Sequence, residues 1–116
     1  MRNFREFQIW VEGRKFVNDI YNDTDSFPSS EKFGLTSQLT RASVSIVANI
    51  AEGASRKSEK DFRRFLEISL GSAFEVETLL IISNDRNLIE VEEFEKRIYD
   101  VQLLQKRISS FMARLK

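Results

Sequence analysis

The chain has no cysteine and no histidine among its 116 residues. Without cysteine it forms neither disulfides nor thiolate metal sites. Without histidine it lacks the usual general base near neutral pH and the commonest metal ligand. A di-iron centre of the bundle type, which pairs Glu with Glu-x-x-His motifs, is excluded as well. No apolar run approaches the ~20 residues that cross a bilayer. No apolar segment comes after the opening Met-Arg-Asn-Phe-Arg-Glu, so a secretory signal is not expected. The expectation is a cytoplasmic protein with no cofactor, no membrane contact and no evident small-molecule substrate. Catalysis would have to rest on carboxylates, Ser, Lys, Tyr or Arg, and no catalytic residue or metal ligand is assigned. A hydrolase built on Glu52 or Glu75 is the enzymatic alternative, decided by whether either carboxylate sits in an open cleft.

What is present is ordinary for one globular domain spanning residues 1–116: 41% hydrophobic and 31% charged residues. The spacing predicts four helices and no strand. The first runs from Phe4 to Asn22, with Trp10, Gly13, Val17 and Ile20 on one stripe. Gly13 costs about 1 kcal/mol of helix propensity, which points to close approach by a neighbour. Pro28 disfavours helical geometry at Phe27 and ends this segment, and Ser29 or Ser30 can cap the next one. The second helix spans Leu35 to Ala54. Ser58 caps the third, which ends at Asn84-Asp-Arg-Asn87, where Asn84 or Asn87 suits a left-handed terminus. The fourth, Val91 to Leu115, carries an apolar seam broken only by Gln105. Short connections make these helices antiparallel neighbours, giving an all-α, up-down-up-down four-helix bundle.

The second helix has no fully solvated face. Leu35, Leu39, Ala42, Ile46, Ile50 and Gly53 form one stripe, and Val44, Val47, Ala48 and Ala51 form another. Between them lies a polar seam of Arg41, Ser45, Asn49 and Glu52. It reads either as a functional polar site or as a structural seam with Arg41 and Glu52 paired to a neighbouring helix or subunit. Glu75 is a further candidate for pairing across an interface, and Gly71-Ser72 for tight helix packing. The third helix is also apolar on more than one side. Candidate subunit contacts are therefore Val44, Val47, Ala51, Phe74 and Ile81.

Phe27-Pro28, Glu31-Lys-Phe-Gly-Leu35, Gln38, Arg41-Ala-Ser-Val-Ser-Ile46, Asn49-Ile-Ala-Glu-Gly53 and Gly71-Ser-Ala-Phe-Glu75 stand in this order. In them the chain resembles the 23S rRNA intervening-sequence proteins, also called the "four helix bundle protein" family. The resemblance runs from Trp10 into the last helix. It implies a small four-helix bundle, assembly into a homopentamer, and no catalytic residues. It also implies a relation to a branch that acts beside the reverse transcriptase of diversity-generating retroelements, binding nucleic acid through a basic surface.

Eighteen basic and eighteen acidic residues cancel, but an up-down bundle separates them. One end collects Arg2, Arg5, Arg56, Lys57, Lys60, Arg63, Arg64, Lys106, Arg107, Arg114 and Lys116. Its acids are Glu6, Glu52, Glu59 and Asp61; eleven cations against four acids leave +7. The other end sets twelve acids, among them Glu90, Glu92, Glu93 and Asp100, against four cations, or −8. Helix dipoles favour cations at the end of the last helix, but not Lys60, Arg63 and Arg64 in the first turns of the third. A sequence-tolerant RNA or DNA interface formed by Arg56, Lys57, Lys60, Arg63, Arg64, Lys106 and Arg107 is one reading, and a solvated charged face is the other. Phe4 and Phe7 are the aromatics nearest this end that base stacking could use.

Overall fold

A computed structural model of the protein describes residues 2–115, so Lys116 of the basic end lies outside the described residues. The elements are α1 (Gln8–Thr24), α2 (Leu35–Ala54), α3 (Glu59–Asp85) and α4 (Val91–Ala113). Each helix packs on its neighbours in the chain, and α4 returns to α1, while the backbones of diagonal pairs stay more than 8 Å apart among the described residues. The result is a square up-down-up-down bundle of 43 × 23 × 20 Å. Ile20, Leu39, Ile46, Ile50, Phe62, Leu66, Leu80, Val101 and Ile108 fill its axis and are sealed from solvent.

The expected first helix is broken near its start. Phe4–Glu6 form a single 3-10 turn, and Phe7 is extended (φ −72°, ψ 127°) before α1 begins. This kink turns the Phe7 ring inward, to 5.0 Å from Phe111 and 6.1 Å from Phe62. Phe4 meets Trp10 edge-on at 5.0 Å. Both aromatics therefore belong to the packing of the basic end.

Local chemistry explains the other termini. Neither Ser29 nor Ser30 caps α2; Glu31 Oε1 does so by accepting from the Leu35 N–H at 3.2 Å. Ser58 Oγ accepts from the Asp61 N–H at 3.1 Å and caps α3. At its far end Asn87 is left-handed (φ 59°). The Leu88 N–H then reaches Ser83 O at 2.9 Å and the Asn87 N–H reaches Asn84 O at 3.0 Å, which satisfies carbonyls the helix would leave open. Gly13 is required on α1: a Cβ there would lie 2.6 Å from Val47 Cγ1 on α2.

Candidate assembly face and basic end

The outward surface of α3 is apolar where a bundle helix is ordinarily polar. Ile68, Phe74, Ile81 and Ile82 are 48%, 53%, 44% and 39% exposed, and Val44 of α2 is 39% exposed. These residues do not form one flat patch. Successive helical residues advance about 100°, so Ile81 lies about 180° from Ser72 and about 40° from Glu77. Ser72 faces α2, whereas Glu77 accepts from Gln105 and Gln102 of α4 at 2.7 and 3.1 Å. Phe74 and Ile81 thus occupy the α4 flank of α3. Val44 sits beyond the other flank. Val47 turns to Gly13 inside the bundle and Ala51, one turn on, is half-buried beside it. Of the five candidate contacts, Val44, Phe74 and Ile81 are open to a partner, and Val47 and Ala51 are largely used within the chain.

The polar seam divides. Ser45 and Ser72 share a hydrogen bond of 2.8 Å between their hydroxyls, and Ser69 Oγ donates to Ile46 O at 2.7 Å. Asn49 Nδ2 donates to the Ser45 carbonyl at 2.9 Å and its hydroxyl at 3.0 Å. Ser45, Ser69 and Ser72 therefore join α2 to α3, and Asn49 holds the Ser45 hydroxyl from one turn along α2. Glu52 pairs instead with Arg56, four residues on and just past the end of α2, at 3.2 Å. Arg41 and Glu75 are exposed and have no ion-pair partner among the described residues. Gly71 departs from expectation: a Cβ there would meet nothing within 4 Å, so no packing in the chain calls for it.

At the basic end the structure accounts for one of the three cations that helix dipoles do not, Arg63. Arg63 donates from Nη1 to Met112 O at 2.9 Å and from Nη2 to Leu115 O at 2.8 Å. It neutralises the carbonyl terminus of α4, which is why a cation stands in the first turn of α3. Arg2 does the same for α2, donating to Arg56 O at 2.6 Å and Ala54 O at 3.3 Å while lying 4.7 Å over the Phe62 ring. Arg107 is ion-paired with Glu12 of α1. Arg63 and Arg107 thus have partners within the chain, with the Arg107 side chain still 36% exposed. Lys57, Lys60, Arg64 and Lys106 remain exposed, with the Arg64 guanidinium 5.7 Å from the Phe65 ring.

The acidic end holds a node that sequence reading missed. Arg97 of α4 donates from Nε to Asp23 Oδ2 at 2.6 Å and from Nη2 to Asp23 Oδ1 at 3.3 Å, joining residues 74 positions apart. Glu93 and Asp100 add contacts at 3.3 and 3.4 Å, and Asp19 stands at 4.0 Å. The side chains of Asp23 and Arg97 are 6% and 11% exposed. Burial pushes the Asp23 carboxyl above its ordinary value, with Arg97 pulling the other way. Burial opposes the Arg97 charge, but the surrounding carboxylates outweigh it and raise its pKa. The available signal was acids spaced i, i+4 on α1 and an arginine flanked by acids at i−4 and i+3 on α4.

Between α1 and α4 runs a groove of about 220 Å³ lined by Glu12, Lys15, Phe16, Asp19, Asp100, Leu103 and Leu104. Glu12 Oε1 is buried there without a hydrogen-bond partner. No group of acids able to hold a metal ion occurs among the described residues. No helix is long and apolar enough to cross a membrane.

A four-helix bundle with exposed apolar helix surfaces and charges sorted by end defines a class of small helical proteins. The chain belongs to the 23S rRNA-intervening sequence protein family, whose sequence pattern matches residues 5–110. It is similar to the crystal structure of a protein of unknown function from the S23 ribosomal protein family of Bacteroides thetaiotaomicron. The two share 26% identity at a TM-score of 0.81, over 90% of this chain and 97% of the other. No protein of curated function matches the sequence. Neither description names a catalytic activity.

Proposed function

We propose that the protein is a non-enzymatic, self-assembling bundle whose copies close into a ring, five being the number that the family resemblance implies. The observation that carries this reading is the apolar surface wrapped around α3, four large side chains at roughly 40–50% exposure with Val44 beside them. Soluble monomers rarely leave such a surface open. Its two flanks point away from each other, so one flat partner cannot cover both. A neighbour on each side is the arrangement of a cyclic assembly. Sedimentation equilibrium at micromolar concentration should return a multiple of the 13.6 kDa chain mass. Combining Phe74→Ser with Ile81→Ser should lower that mass while the helical circular dichroism persists. A monomeric parent protein overturns the reading.

A second reading, an accessory that binds RNA or DNA through the basic end, is favoured by the exposed Lys57, Lys60, Arg64 and Lys106. A ring with aligned ends would repeat these cations around one broad positive surface suited to phosphate backbones. Binding should weaken by roughly 0.7–0.9 log units per phosphate contact for each tenfold rise in salt. The informative variant joins Lys57→Glu, Lys60→Glu and Arg64→Glu, sparing Arg63 because it holds α4. It should lose binding to a homopolymer RNA in a filter assay and keep the parent's helix content. Unchanged binding by this variant, or binding indifferent to salt, excludes the basic end as the interface.

A further inference from the structure

Phe33 is 90% exposed in the connection between α1 and α2. The connection is tightly held. The N–H groups of Glu31, Lys32 and Gly34 donate to Pro28, Ser29 and Glu31 carbonyls at 2.9, 3.1 and 2.9 Å, and Glu31 also caps α2. Among the described residues, the one cation over the ring is the ammonium of Lys32, 5.5 Å from its centre. With its backbone held this way, the segment that carries Phe33 has little backbone ordering left to lose on binding, which suits the ring to serve as an anchor.

Gly71 supplies the complementary oddity. In the interior of a 27-residue helix, glycine costs about 1 kcal/mol relative to alanine, and nothing in the chain needs the space. The missing side chain leaves a notch on the outward surface of α3. Ile68 and Phe74, both half-exposed, stand one turn to either side. Glu67 and Glu75, four residues away in each direction, are exposed and unpaired among the described residues. The knob thus carries an aromatic and a cation, and the notch has apolar walls and two acids.

We propose that Phe33 of one copy seats in the Gly71 notch of a neighbouring copy, with Lys32 set against Glu67 or Glu75. The contact cannot form within one chain. The Ser45–Ser72 pairing sets residue 34 level with residue 83, which is twelve residues, or ~18 Å, from Gly71 along α3. Knob and notch lie on different parts of the surface, so the contact is head-to-tail and repeats from copy to copy, which is the kind of contact that a ring is built from. The inference rests on the self-assembly reading above and names the residues that make its contact.

The absence of cysteine makes the test direct. Phe33→Cys and Gly71→Cys chains, mixed in equal amounts and mildly oxidised, should give the mixed disulfide dimer well beyond the two-to-one excess over each self-linked dimer that random pairing yields. Separately, Phe33→Ser and Gly71→Leu should each weaken association by about tenfold or more in sedimentation. Gly71→Leu should do so without lowering the melting temperature measured at concentrations where both proteins are monomers, because it adds a helix-favouring residue at an open position. If the parent assembles and both variants assemble equally well, or self-linked dimers predominate, the knob-and-notch contact is overturned while self-assembly stands. If the parent is a monomer, both fail and Phe33 is left open for a different protein.

Discussion

Replacing Arg97 with methionine should remove about 3–5 kcal/mol of stability at neutral pH, the usual cost of stranding a buried charge. Asp23, with a side chain only 6% exposed, would keep its charge and lose its main counter-ion among Asp19, Glu93 and Asp100. The pH dependence has a definite sign. Burial already raises the Asp23 carboxyl, and removing Arg97 raises it further in the folded state. A carboxyl whose folded pKa exceeds its unfolded value imposes its full penalty above the folded pKa. That penalty vanishes as pH falls toward the unfolded value of about 3.9. Urea unfolding should therefore show a deficit that is largest at pH 7 and narrows through the weakly acidic range. Asp23→Asn in the Arg97→Met background should restore much of the loss, because the pair need not be net stabilising when both charges go. A deficit below about 1 kcal/mol, or one that ignores pH, would contradict this account of the node.

Phe62→Ala should be comparably severe, about 3–5 kcal/mol by chemical denaturation. The ring is 1% exposed and is the hub of the basic end. Phe7 and Phe111 lie 6.1 and 5.6 Å from it and the Arg2 guanidinium stacks over it at 4.7 Å. Collapse into the resulting cavity is restricted because Phe7 is held by its backbone kink and Gly53 has no side chain to offer. Gly53 is fitted to the same ring: a Cβ there would come within 2.9 Å of Phe62 Cδ1 and 2.8 Å of Phe65 Cβ. Gly53→Ala alone should cost about 1–3 kcal/mol through overpacking. Combined with Phe62→Ala it should cost less than the sum, since one of the two clashes has gone. Strict additivity would mean that the two positions are not packed as described.

The limits of α2 and the capping of α3 by Ser58 were legible in the sequence because local chemistry determines them. The phase of α1 was not. The expected stripe of Trp10, Gly13, Val17 and Ile20 overlaps a second one, Ile9–Phe16–Ile20, and only the neighbours decide which is central; Gly13 and Ile20 are buried. Ile9 and Phe16 are buried, whereas Trp10 and Val17 lie at the edge. The polar seam on α2 was visible as a row, yet its members serve different ends: Ser45 joins α3, Asn49 supports Ser45, Glu52 pairs with Arg56 just past the helix, and Arg41 has no ion-pair partner among the described residues. Arg63 looked like a surplus cation because its partners are carbonyls about fifty residues away. Gly71 looked like a packing glycine because spacing cannot distinguish a crowded surface from an empty one.

The Arg97 node and the groove beside it lie on the one seam that joins the first helix to the last. Each of the other helix pairs is a hairpin, ready to zip as soon as its second arm leaves the ribosome. This seam has to wait for residues 97 to 111 to be made, and it closes the longest loop in the molecule at the greatest entropic cost. Until then Phe16 and its neighbours on α1 have no α4 to lie against. Without α4 the remaining three helices would be a sheaf with one unsealed side, and α4 is the piece that closes it.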